Sequence, residues 1–177
     1  PDHAFSHVAL PRVLAAEDPT RYYQPSSPWS GRADLPPNSD DVGDQHPWSV
    51  GFTDTDFRKY RAMICRFPNE GGIIGSTSLP CLHAALRENQ RFVQSFDWQL
   101  HDNSVDSWSE PSDLDRMTDF WLGRDCRRMS LDEFAYWAGV LQAEGLREYA
   151  DNFRRRMFDS AAAIFWMFND CWPAVRS

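Results

Sequence analysis

The sequence predicts an α/β fold, and three observations carry the prediction. Short apolar runs at 22–24, 45–50, 63–67 and 161–168 alternate with stretches of helical pattern, the order expected of parallel βα units. Polar and aromatic residues gather just past the C-terminal end of each run, where such folds carry their chemistry. Between the third and fourth runs lies a long amphipathic stretch with a clear start signal, which supplies a helix to cover a sheet. A chain of 177 residues is read as one domain, long enough to bury a real core.

Taken in order, residues 5–16 read as a helix with Val8, Leu10, Val13 and Leu14 apolar, and Pro11 must sit near its start or kink it. Asp18-Pro19-Thr20 ends it. Tyr22-Tyr23-Gln24 is a short strand closed by Pro25-Ser26-Ser27-Pro28, and 30–43 is a polar loop. Residues 45–50 form a second extended piece, and a short helix at 56–62 leads into a third strand at 63–67. Residues 79–86 look helical, 97–112 read as a long loop, and a brief helix follows at 114–122. Ser130 and Glu133 make a capping box. Behind it Phe134, Ala138, Leu141, Gly145 and Tyr149 keep to one face of a helix that ends near Arg156. Residues 161–168 are apolar throughout, the pattern of a strand buried on both faces.

The net charge of −8 argues against nucleic acid, since phosphate binding needs a basic face. The one basic cluster, Arg154-Arg155-Arg156, sits at a helix end, where it complements the dipole. No apolar run is long enough to cross a membrane. The start at Pro1-Asp2-His3, without an initiator Met or signal peptide, suggests a piece cut from something longer. Four cysteines show no paired spacing. Cys65 and Cys171 read as buried thiols, a zinc site is not expected, and the compartment stays open. No cofactor is implied. Of the eight tryptophans, about two-thirds are expected in the core, leaving others as platforms for flat ligands such as sugar rings.

The most informative stretch is Arg66-Phe67-Pro68-Asn69-Glu70-Gly71-Gly72. It places one carboxylate at the tip of a predicted strand, followed by two glycines that let a ligand approach closely. A solvated turn acid is the simpler alternative. Arg66 lies an even number of residues away and could keep Glu70 ionised, or could make an ordinary ion pair.

Four ordered segments carry a resemblance. They are Asp18 through Pro28, Gly43-Asp44-Gln45-His46-Pro47-Trp48, Arg66 through Gly71, and Ile164 through Pro173. Together they resemble glycoside hydrolase family 2 in its β-mannosidase-like branch. The resemblance implies the C-terminal half, about strands 5 to 8, of a (β/α)8 TIM barrel, with the first barrel half and the accessory β-domains absent. It implies a retaining exo-β-glycosidase acting on a terminal β-linked glycoside, with Glu70 as nucleophile. Such enzymes use two carboxylates roughly 5–5.5 Å apart.

In that reading Trp166 is the sugar platform, and Trp48 is a weaker candidate for the pocket wall, as is Trp29. Asn169 and Asp170 bind sugar hydroxyls or only cap a turn. Asp44 and His46, two apart, contact hydroxyls or orient the nucleophile, while Asp44 could also serve only the turn after Gly43. Ser26 and Ser27 read as a rigid loop, with no His or acid placed to activate them. Two departures stand out. The family's usual Ser-Glu-Phe-Gly is here Asn69-Glu70-Gly71-Gly72, and Pro47 replaces an aromatic. The family's acid/base, in an Asn-Glu pair upstream, has no counterpart, because the only Asn-Glu is Asn69-Glu70. One carboxylate cannot both attack and protonate the leaving group. The isolated chain is therefore expected to be inactive, and to pair with the missing half or with itself.

Overall fold

The computed structural model describes residues 3–102, 113–170 and 172–176. The α-helices are α1 (Leu10–Glu17), α2 (Ser49–Phe52), α3 (Leu79–Ala85), α4 (Phe96–His101), α5 (Asp113–Leu122) and α6 (Leu131–Arg155). A π-helical turn, Phe5–Ala9, precedes α1, and 3-10 turns fill Phe57–Ala62, Glu88–Gln90 and Cys126–Arg128. α2 is a single turn broken at Val50 and Gly51. None of the helices described is long and apolar enough to cross a membrane.

α6 organises the molecule. At 25 residues it is about 37 Å long. Ser130 accepts the Glu133 N–H, the N-cap half of the predicted capping box, while the Glu133 carboxylate meets Arg124. Its first half, Leu131, Phe134 and Ala138, joins Leu82, Leu86, Trp98, Leu114 and Val175 in one core. Its second half, Leu141, Tyr149 and Phe153, joins Val50, Phe57, Tyr60, Cys65 and Ile73 in another. Each fully buried aromatic or aliphatic side chain there contributes about 1.5–3 kcal/mol of burial.

The predicted helices at 5–16, 79–86 and 114–122 form close to their expected bounds, with Pro11 in the first turn of α1. The one at 56–62 winds more tightly, as a 3-10 turn that Asp56 caps through the Arg58 N–H. The predicted loop at 97–112 begins instead as α4, started by the Ser95 hydroxyl accepting the Trp98 N–H. Residues 103–112 and Cys171 lie outside the described residues.

The predicted strands are the main correction. Among the described residues no strand is long enough to be one, and the regular elements are helical. Among the described residues, 22–24 makes no strand pairing. The other runs are present as extended neighbours that touch only at intervals. Gln45 N–H donates to Phe67 O at 3.0 Å and Asn69 N–H to Gln45 O at 3.2 Å, a parallel contact. On the other side Ala161, Ile164 and Trp166 N–H groups donate to the carbonyls of Arg66, Pro68 and Gly71 at 2.8–3.0 Å. The spatial order is therefore 45, then 66–71, then 161–166, with the middle segment carrying Glu70.

The last of these runs is not buried on both faces. Ile164, Phe165 and Trp166 are about half exposed and Phe168 is 92% exposed. Among the described residues its backbone-to-backbone bonds along 161–166 run to the 66–71 segment alone, and its exposed side chains lack the cover that the all-apolar pattern requires. The tryptophan expectation fails similarly, since among those described only Trp98 is fully buried. Cys65 is buried as predicted, and burial pushes its thiol up to about 12.

Candidate functional site

Glu70 sits at the end of the middle extended segment, about one-third exposed at its side chain. Trp48 Nε1–H donates to its Oε1 at 3.0 Å. His46 Nδ1 lies 3.5 Å from its Oε2. Trp48 is in turn propped against Phe52, ring centroids 5.2 Å apart. The backbone of His46 is clamped by Asn38, whose Oδ1 accepts the His46 N–H at 2.9 Å and whose Nδ2 donates to the His46 carbonyl at 3.0 Å.

Behind His46 stands Asp44, 4% exposed. Its Oδ1 accepts from Gln24 Nε2 at 2.8 Å and from the Trp29 N–H at 2.7 Å. Its Oδ2 accepts from Ser27 Oγ and from Asn69 Nδ2, the latter at 2.8 Å. Burial alone would raise its pKa, but the Ser27, Trp29 and Asn69 donors outweigh it and hold the carboxyl below its ordinary value. Four donors saturate a carboxylate. Asp44 therefore organises the group, one of the roles read for it, and has no lone pair left for a sugar hydroxyl. Ser27 closes the chain, its Oγ 2.9 Å from His46 Nε2 and 3.1 Å from Asn69 Nδ2.

The structure thus joins Glu70, Trp48, His46 and Asp44 in one hydrogen-bonded group. Trp166 is tied to it through the backbone, its N–H on Gly71 O, and its ring is 55% exposed. Asn169 and Asp170 lie further along, and among the described residues neither bonds to the Glu70 group. Asp170 Oδ1 is buried without a partner there, and burial raises its pKa.

Arg66 does not serve Glu70. Its guanidinium reaches Asp41 O at 3.1 Å and Asp159 at 3.4 Å. Four residues of extended chain, about 13 Å, separate its Cα from that of Glu70. The ion-pair alternative holds. For Ser27 only the premise is corrected: a His and an acid do stand beside it, since His46 and Asp44 both contact its hydroxyl.

The glycines after Glu70 serve packing more than ligand access. A Cβ on Gly71 would lie 2.9 Å from the Tyr149 ring and 3.2 Å from Pro47. Gly72 has φ +142°, which an L side chain rarely adopts. Tyr149 fixes this corner, its hydroxyl donating to Ile164 O at 2.7 Å with Pro68 O 3.3 Å away. The two departures from the family pattern, Pro47 and Gly71, therefore meet in space, and the Tyr149 ring takes up the room a side chain at position 71 would need.

Sequence reading missed Ser27, Asn69, Asn38 and Gln45. Gln45 is 1% exposed. Its Nε2 reaches the carbonyls of Ser39, Val42 and Gly43 while its Oε1 accepts the Phe67 N–H at 2.8 Å. A Gln inside an extended run was the available signal. Asp119, Asp125 and Cys126 could bring ligand atoms within 4.8 Å of one another. However, Asp119 caps the Cys126 N–H and Asp125 the Arg127 N–H, so local turns account for them.

No family model matches the chain. It is 27% identical to Beta-mannosidase B of Emericella nidulans over 98% of its own length and 20% of that protein. It is 28% identical to Beta-mannosidase B of Aspergillus clavatus over 94% of its length and 19% of that protein. Among solved structures, the β-D-mannosidase of Dictyoglomus thermophilum superposes with a TM-score of 0.84 at 27% identity, covering 99% of this chain and 21% of that one. The chain spans about one fifth of the length of the proteins it matches. From end to end it is similar to β-mannosidases in both sequence and fold, as the four motifs imply.

Proposed function

We propose that the chain is the nucleophile-bearing part of a retaining β-glycosidase of β-mannosidase type, acting on terminal β-linked sugars. The observation that carries this is the setting of Glu70. It is a partly exposed carboxylate at the tip of the middle of three parallel segments, held through one oxygen by Trp48. In this reading Glu70 attacks the anomeric carbon while a second carboxylic acid protonates the departing glycosidic oxygen, leaving a glycosyl ester on Glu70. Water, deprotonated by that second carboxylate, then attacks the same carbon and frees Glu70.

Asp44 is saturated and is not the second carboxylate, and the resemblance to the family puts that residue in an Asn-Glu pair upstream of this chain. The parallel order of the segments at 45, 66–71 and 161–166 supports reading them as adjacent strands in the C-terminal half of a (β/α)8 barrel. The uncovered edge at 161–168 supports a partner, either the missing half or a second copy. Trp166, exposed beside Gly71, is the proposed sugar platform, with Asn169 and Asp170 as further hydroxyl contacts.

The experiment is labelling of the longer polypeptide with a 2-fluoro glycosyl inhibitor that traps the ester. The label should map to Glu70 and vanish in Glu70→Gln. A label on another carboxylate would sink the assignment. Sugar binding with neither label nor turnover would favour the alternative, a carbohydrate-binding module built on Trp166.

A further inference from the structure

With the His46 ring neutral, the group behind Glu70 has a proton inventory that one arrangement satisfies. Asp44 is ionised and accepts only, so the Ser27–Asp44 contact needs the Ser27 hydroxyl proton. With that proton committed, Ser27 Oγ faces His46 Nε2 at 2.9 Å with lone pairs alone, and the hydrogen between them must be the ring's. A neutral ring has one N–H, so Nδ1 is then bare. It faces Glu70 Oε2 across 3.5 Å, and no proton lies between them. The distance agrees, because a protonated ring on a carboxylate closes to about 2.7–2.9 Å.

We infer that Ser27 and Asp44 are positioning residues that act on Glu70 through His46, fixing the neutral ring as the Nε2–H form with its Nδ1 lone pair toward Glu70 Oε2. Two consequences follow for the site. Trp48 holds Oε1, so Oε2 is the carboxylate oxygen that no N–H engages, the one free to attack. Any further ring proton can enter only at Nδ1, between the ring and that oxygen. His46 therefore switches Oε2 from free to bound when it is protonated. The groups facing the ring are Glu70, Ser27 and, through Ser27, Asp44 and Asn69.

The consequence for attack rests on Glu70 being the nucleophile, but the proton placement does not. The test reads protons, so the two can fail separately. The 177-residue chain with nitrogen-15-labelled histidine is examined by long-range nitrogen–proton NMR at a pH where the ring is neutral, with His46 assigned by loss of its signals in His46→Gln. The wild-type ring should carry its proton on Nε2, and on acidification the second proton should appear on Nδ1. In Ser27→Ala, Glu70 is the one acceptor left facing the ring, so the neutral-form proton should move to Nδ1. A wild-type ring protonated on Nδ1, or a Ser27→Ala ring that keeps its proton on Nε2, would overturn the inference. A purely structural role for Ser27 predicts no change of protonated nitrogen.

Discussion

Trp48 gives Glu70 one N–H, and that N–H can be removed with little else disturbed. Trp48→Phe keeps an aromatic ring against Phe52 and deletes the donor 3.0 Å from Oε1. A hydrogen bond to a charged group contributes about 1.5–3 kcal/mol, so kcat/KM of the longer polypeptide should fall about 10- to 100-fold. An unchanged kcat/KM would mean that Trp48 only packs. At this scale the sequence was legible where a residue type names its own chemistry, as Glu70, His46 and Trp48 do. It was silent on Ser27 and Asn69, whose hydroxyl and amide gain meaning only from partners 17 and 25 positions away. Arg66 shows the converse: even spacing put it on the right face, yet distance along the segment gave it to Asp159.

At the scale of elements, helix signals held because they are local. Ser130 with Glu133, and Pro11 at a first turn, act within four residues and do so regardless of what surrounds them. Strand signals did not, because a ladder depends on partners distant in sequence, and here the 45, 66–71 and 161–166 segments meet only at scattered backbone bonds. α4 was missed because six residues are too few to display a period. One tight fit against α6 is at Gly145, where a Cβ would lie 2.4 Å from Ile73 Cγ1. Gly145→Ala gains helix propensity of about 1 kcal/mol but must displace Ile73, so a net loss of about 1–3 kcal/mol is expected in urea denaturation. Pairing it with Ile73→Val should recover part of that loss, since the sites touch. A stabilised single variant would show that the helix and segment can part without cost.

At the scale of the whole molecule, two of the places where apolar surface is left bear on association. Ile164, Phe165, Trp166 and Phe168 line one edge, and α1 with the turn before it buries no residue although Phe5, Val8 and Val13 are apolar. Such surface beside an unpaired backbone edge favours association. Sedimentation of the isolated chain should therefore show concentration-dependent self-association, which supply of the upstream barrel half should suppress. A monomer across the whole concentration range would remove the case for an open edge. The likeness to β-mannosidases was readable at this scale because four motifs keep their order over the chain. The incomplete ladders were not, since pairing is a property of the assembled neighbours.

α6 reaches across to hold the backbone around Glu70. Gln142 donates to Ile73 O, Tyr149 to Ile164 O, and Asn152 to Met63 O. These bonds stand in for the missing ladder rungs, so the segments cannot open while the helix stays closed. In native-state hydrogen exchange the amides of Ile164 and Trp166, though they sit in half-exposed chain, should exchange with the slow set from the second half of α6. The floor of the site and the longest helix would then share one unfolding unit, and a denaturant that loosens the helix would silence the site at the same concentration.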